Sequence, residues 1–395
     1  MDSQEQKNNT NYIPAEMYKS ELSKIVSEPV KYITDWADDN LMHVGKKVFK
    51  IVALMPCSLI IPDITFKSKD IKSKINLFIL GPPASGKSSI CEKFNELSYF
   101  GFSVKGISAK KLLSKISDAK GFFSVSIDDF SNKLNQQDGY ETIKILEGAL
   151  GDERKASHEN MNYSSQTDTN AVGLICGTWS DLRKYHSYLR GGLLSRMGLL
   201  FISLTQKQRE EIADFIDNGI GKKQEANDSK IKEFIIKDYY KLLFQIQGGR
   251  NTEIQQVTGY EFDEKYKKMG LNHWKTLTRD FANDINGDFK RELHDFYRYT
   301  ISHAFLNVFN RKVVNGILIP TREDYLYALD LLNITLGNKV ALLQGNSYNR
   351  EITSPEILLK VLMDPRLKED AKNILMNLSP HSYKIAGQLK DGLKT

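Results

Sequence analysis

Apolar and polar positions change their spacing along the 395 residues. Between Glu16 and Leu54, Met17, Leu22, Ile25, Val26, Val30 and Ile33 recur at helical spacing, and the pattern stops near Pro56, which predicts a helical lead-in. Residues 1 to about 12 are polar, without period, and read as disordered. From Ile75 to Leu204 short apolar runs alternate with helical stretches. NLFIL precedes a helix from Lys87, FSVKGI one from Ser108, FFSVSI one near Tyr140 to Leu150, and AVGLIC one from Ser180, before LLFISL closes the series. Strands alternating with helices predict an α/β core, a mainly parallel sheet covered on both faces. After Thr205 no comparable strands are expected. REEIADFID, KEFIIKDYYKLLFQI, RELHDFYRYTISHAFLNVF, REDYLYALDLLNI and PEILLKVLM all read as helices. The expected units are a helical N-terminal segment (1–74), the α/β core (75–205), a helical domain (206–345) and a C-terminal helical segment (346–395).

Composition changes this picture little. With 41% hydrophobic and 26% charged residues the chain is globular, and a net charge of +6 permits nucleic-acid binding without requiring it. Cys57, Cys91 and Cys176 are far apart, so neither a disulfide framework nor a zinc ribbon is supported, and a reducing cytoplasm is the expected location. The polar start is no signal peptide, and Ile51 to Pro62 is too short and too Pro-interrupted to span a bilayer, so no membrane partner is expected. The lysine-rich KSKDIKSK reads as a solvated linker.

GPPASGKSS follows a predicted strand and precedes a helix, the context that the G-x-x-x-x-G-K-[ST] phosphate loop requires. Gly81 and Gly86 let the backbone curl, so that the N–H groups of Gly81, Ala84, Ser85, Gly86, Lys87, Ser88 and Ser89, with Pro82 and Pro83 shaping the turn, face a phosphate. Lys87 then reaches the terminal phosphates and the Ser88 hydroxyl ligates magnesium, making ATP and Mg2+ the expected cofactors. FFSVSIDDF ends a buried-strand pattern with two carboxylates. Asp128 is the candidate for the magnesium shell and Asp129 for orienting the attacking water; the alternative is that the pair caps the next helix. Asp129 is one methylene shorter than the Glu more usual in this plan, which points to slow hydrolysis.

Three further segments carry a resemblance. The run IDDFSNKLNQQDGYETIKILEGALGDERKAS, the run GGLLSRMGLLF and the helix RELHDFYRYTISHA, with Arg291, Leu293, Arg298, His303 and Ala304, resemble in order the AAA+ domain of MCM-type replicative helicases. The resemblance spans Leu77 to roughly Leu331 and implies an AAA+ P-loop ATPase core with a helical lid. It further implies a homo-oligomeric ring, expected as a hexamer, with nucleotide at the seams and DNA and replication proteins as partners. Within it, Arg196 matches an arginine finger supplied to the neighbouring subunit, the alternative being an arginine with its stem on apolar surface and its head in water. Arg291 matches the lid sensor, and Arg298, on about the same face, a support or substitute. Thr178 stands where a polar sensor, commonly Asn, is found, or else caps the next helix. Lys155, beside Arg154, matches the lysine of a DNA-tracking hairpin, or is a lysine in a polar loop.

The chain departs from the family in lacking room for the N-terminal DNA-binding domain and for a second DNA-facing insert, since only Lys105 to Lys120 separate the second strand from the acidic one. PEILLKVLMDPRLKEDAKNIL lacks the basic residues of a recognition helix and reads as packing more than as a winged helix. Two functions follow from these residues: a ring ATPase that moves or remodels DNA, or a nucleotide-switched assembly protein in which slow hydrolysis is a timer. No aromatic pore loop supports a protein-remodelling machine.

Overall fold

The computed structural model describes residues 14–41, 43–66, 69–98, 101–104, 107–120, 122–151, 155–160, 163–178, 196–219, 223–250, 254–278 and 290–344. The helical lead-in is four helices: α1 (Ala15–Ser27), α2 (Pro29–Asn40), α3 (Gly45–Val52) and α4 (Met55–Ile60). Pro29 causes the first break, disfavouring helical backbone at Glu28 (φ −138°, ψ 65°) while fitting the first turn of α2. Pro56 likewise lies in the first turn of α4 instead of ending the segment. An antiparallel pair follows, β1 (Ile64–Phe66) with β2 (Lys69–Ile71). KSKDIKSK is therefore not a solvated linker: it contains β2 and ends in buried Ser73 and Lys74. Both have partners that make burial tolerable, Ser73 Oγ at 3.1 Å from the carbonyls of Ser58 and Ile61 and Lys74 Nζ at 3.2 Å from that of Ala149.

Five strands form the central parallel sheet: β3 (Leu77–Leu80), β4 (Gly101–Ser103), β5 (Phe122–Ile127), β8 (Asn170–Gly177) and β9 (Gly198–Phe201), in the order β4-β5-β8-β3-β9. Between them come α5 (Lys87–Leu97), α6 (Ala109–Asp118), α7 (Phe130–Leu134), α8 (Gly139–Leu150) and a hairpin of β6 (Lys155–Asn160) and β7 (Tyr163–Asp168). Strand β3 is buried along its whole length, which its continuous LFIL run dictates. Leu77 and Ile79 enter the core shared with α5 and the N-terminal helices, while Phe78 and Leu80 enter the one shared with α6 and α8. The connection leaving β3 runs to the edge strand β4, whereas the one leaving β8 passes beyond β3 to β9. The two connections run in opposite directions and, as right-handed crossovers, leave on opposite faces of the sheet, which opens a crevice at the carboxyl ends of β3 and β8, where open parallel sheets hold ligands.

The C-terminal half contributes α9 (Gln206–Gly219), α10 (Lys223–Gln247), α11 (Glu264–Thr278), α12 (Lys290–Leu306) and α13 (Arg322–Gln344). It is not wholly helical. A small sheet of β10 (Gly259–Tyr260), β12 (Ile317–Ile319) and β11 (Lys312–Val314) corrects the expectation of no strands after Thr205. Its signal is the dipeptide Asn315-Gly316, whose positive φ values of 52° and 78° suit a two-residue hairpin turn. Tyrosines tie the halves together: Tyr240 Oη donates to the Ala53 carbonyl at 2.8 Å and Tyr327 Oη to that of Lys50 at 2.9 Å. Among the described residues no helix is long and apolar enough to cross a membrane. The segment 346–395 lies outside the described residues.

Candidate nucleotide site

The loop after β3 is bent by two left-handed residues, Ala84 at φ 59° and Gly86 at φ 81°, the latter forming the N-cap of α5. Gly81 is required for a different reason. A Cβ there would lie 2.8 Å from Ser85 Oγ and 2.9 Å from the Ile202 carbonyl, so only glycine lets the loop cross the exit of β9. Inside the cradle the buried Lys87 Nζ donates to the carbonyls of Gly81 at 2.9 Å and Pro82 at 2.5 Å and to Ser85 Oγ at 3.2 Å. Pro83, Ala84, Ser88 and Ser89 are exposed at the rim. A curled backbone, a helix N-terminus, an ammonium held between them and an exposed hydroxyl fit a polyphosphate with its magnesium. Among the described residues no group of three or more His, Cys, Asp or Glu could hold a metal ion.

The acidic pair follows β5, two strands from β3. Ile127 is level with Ile175, and Ile175 with Phe78, so Asp128 continues level with Ile79, about 10 Å across the sheet from the loop-bearing strand. Asp128 is half-buried and faces α5 closely enough to act on it. The Cys91 thiol, one turn beyond Lys87, is pushed well above its ordinary value by its contact with Cys176, by burial and by the charge of Asp128. Asp129 is exposed, and its Oδ1 accepts from the Asn132 backbone N–H at 3.0 Å, capping α7. The capping alternative is thus the observed geometry for Asp129. Thr178 follows β8 beside Gly177, whose carbonyl accepts from the Gly81 N–H at 3.3 Å, and so stands at the level of the loop.

Arg196 is elsewhere. Gly198 pairs with Leu77, and the Asn76 side-chain amide donates to the Arg196 carbonyl at 3.3 Å, so Arg196 lies at the amino end of the sheet. The five residue steps from Asn76 to Gly81 put about 16 Å between its backbone and the loop of the same chain. The structure does not bring Arg196 to the loop after β3 of its own chain. Residues 179–195, with the predicted helix from Ser180, lie outside the described residues.

The register pairs Lys155 with Asp168 and Asn160 with Tyr163, so Lys155 opens the hairpin at its base, about 17 Å from the turn. Arg154 lies outside the described residues. Arg298 is no substitute sensor. Its Nη1 bonds Asp295 at 2.6 Å and its Nε donates to the Lys72 carbonyl at 2.7 Å, fastening α12 to the strand entering the core. Arg291 is the second residue of α12, and its side chain lies outside the described residues.

The sequence pattern also missed the turn between α2 and α3, which packs on the loop. Val44 Cγ2 would lie 3.9 Å from a Cβ at Gly86. Lys47 Nζ donates to the Phe201 carbonyl at 3.0 Å, one residue before Ile202 meets Gly81, and burial pushes this ammonium down to about 8. His43 adopts φ 64° and places Nε2 2.7 Å from Glu211 on α9. Gly45 in this helical stretch was the available signal, since a Cβ there would overlap the Ala37 carbonyl at 2.1 Å.

The chain matches no family model and no curated protein.

Proposed function

We propose that the protein is a Mg-ATP hydrolase of the MCM-like AAA+ plan, working as a ring with nucleotide at the seams. The observation that carries this reading is the division of the site. A complete phosphate cradle, with Lys87, Ser88 and Asp128, stands at the carboxyl end of the sheet, while Arg196 stands at the amino end and cannot complete it from within one chain. A second copy supplies the missing cation. Arginine suits that task because it stays charged and offers a planar fork of donors to phosphate oxygens. In this assignment Lys87 binds phosphate oxygens, Ser88 and Asp128 hold magnesium, Asp129 and Thr178 orient water, and Arg291 assists from the lid. Magnesium neutralises charge on the transferring phosphoryl group when bound. The β6–β7 hairpin, carrying Lys155 at its base, is the proposed element that moves DNA.

The test is ATP turnover with and without single- or double-stranded DNA. A motor predicts stimulation by DNA and its reduction in Lys155→Ala. The capping bond from Asn132 to Asp129 favours the second reading, a nucleotide-switched assembly protein, because it engages the water-orienting carboxylate in holding α7. That reading predicts slow turnover that DNA leaves unchanged.

A further inference from the structure

We infer that Asn76 and Gly151 form a joint through which Arg196 controls the β6–β7 hairpin. The inference rests on the reading of Arg196 as a seam residue and adds what its movement does. Gly151 is the C-cap of α8, and the hairpin starts at Lys155. The Arg196 side chain lies against this glycine: a Cβ there would stand 3.0 Å from Nε and 3.5 Å from Cζ. The cation therefore rests at the negative end of the α8 dipole, on the root of the hairpin.

Among the described residues, Lys74, Asn76 and Thr169 hold the end of α8 by hydrogen bonds. The Ala149 carbonyl accepts from Lys74 Nζ and from Thr169 Oγ1, both at 3.2 Å, so the entering and returning ends of the hairpin are fastened together. Asn76, buried at 5% exposure, donates through Nδ2 to the Leu150 carbonyl at 3.2 Å and the Arg196 carbonyl at 3.3 Å, while its Oδ1 accepts from the Gly173 N–H at 2.9 Å. One amide thus ties the end of α8, the backbone of Arg196 and strand β8. By contrast Arg196 Nε is buried with no hydrogen-bond partner among the described residues. Its docking on Gly151 is a packing contact under the field of a helix end, which a phosphate oxygen of a neighbour's nucleotide outcompetes with a charge-assisted bond. Asn76 holds the backbone while the side chain leaves, and the helix end that loses its cation carries the hairpin. Asn76 is a positioning residue in this scheme.

Hydrogen–deuterium exchange on the full chain tests it. In nucleotide-free protein, Arg196→Met should speed exchange of amides in 155–168 by about threefold or more while β5 amides keep their protection. Asn76→Asp, which keeps the acceptor for Gly173 and loses both donors, should do the same. Adding Mg-ATP to wild type should reproduce the rise, and adding it to either variant should change hairpin exchange no further. Hairpin exchange equal to wild type in both nucleotide-free variants overturns the joint. A rise in the variants with no Mg-ATP effect on wild type supports the joint and removes the seam reading instead.

Discussion

At Asp129 one carboxylate has an observed task, capping α7, and a proposed one, orienting water. The two roles separate in Asp129→Asn. Asparagine caps as well as aspartate, so the melting temperature should hold, whereas a lost general base lowers turnover by about 10²- to 10⁴-fold. Phosphate release measured beside thermal melting checks both, and unchanged turnover would assign Asp129 to α7 alone. Gly86 makes a backbone demand of the same directness. At φ 81° an L side chain costs about 1–2 kcal/mol, so Gly86→Ala should lower stability by that amount and weaken ATP binding, read by denaturant unfolding and nucleotide titration. Because Val44 stands over Gly86, part of the effect should reach the α2–α3 turn.

Among the elements, α12 and α13 are held by a buried polar cluster. The Asp324 carboxylate takes bonds from Arg311 Nε at 2.8 Å and Nη2 at 2.9 Å, faces His303 Nδ1 at 2.6 Å, and accepts from the Thr321 N–H at 2.6 Å at the start of α13. Burial pushes this carboxyl up, but the hydrogen bonds and charges of His303 and Arg311 outweigh it and hold it below the usual carboxylate range. A carboxyl depressed in the folded state stabilises it above its unfolded value, about 3.9, and that contribution is lost as pH falls through the folded value. Melting should therefore be steady near neutrality and drop below about pH 4. Asp324→Asn, by leaving the buried Arg311 with only the exposed Glu323 as counter-charge, should cost about 3 kcal/mol at pH 7, measured by denaturant unfolding.

Elements were legible in the sequence where one physical signal dominated. The LFIL and FFSVSI runs declared buried strands, and GPPASGKSS declared its loop, because hydrophobic continuity and glycine spacing act locally. The break at Pro29 goes unread and Pro56 is taken as a stop, since the residue that ends one helix also opens the next. Lys74 and Ser73 looked solvated because their partners, Ala149, Ser58 and Ile61, are distant in sequence or on another element. The site followed the same rule. The turn of its glycine loop was readable, while the α2–α3 wall and the position of Lys155 at the hairpin base depend on packing and register that no short motif encodes.

For the whole molecule the decisive geometry is the separation of Arg196 from the loop of its own chain by the length of the sheet. If the site is shared, two defective chains can repair each other. Lys87→Ala lacks the cradle lysine but keeps Arg196, and Arg196→Ala keeps the cradle but offers no cation. Removal of an arginine finger lowers turnover by about 10³- to 10⁵-fold, so both variants alone should be nearly inactive while still assembling with Mg-ATP, read by mass-resolved sizing. The measurement is ATP turnover of their equimolar mixture. The shared-site account predicts recovery well above either variant alone, from seams where the Arg196→Ala chain supplies the cradle and the Lys87→Ala chain supplies Arg196. A mixture no more active than its parts, or an Arg196→Ala chain that hydrolyses ATP like wild type, would contradict it.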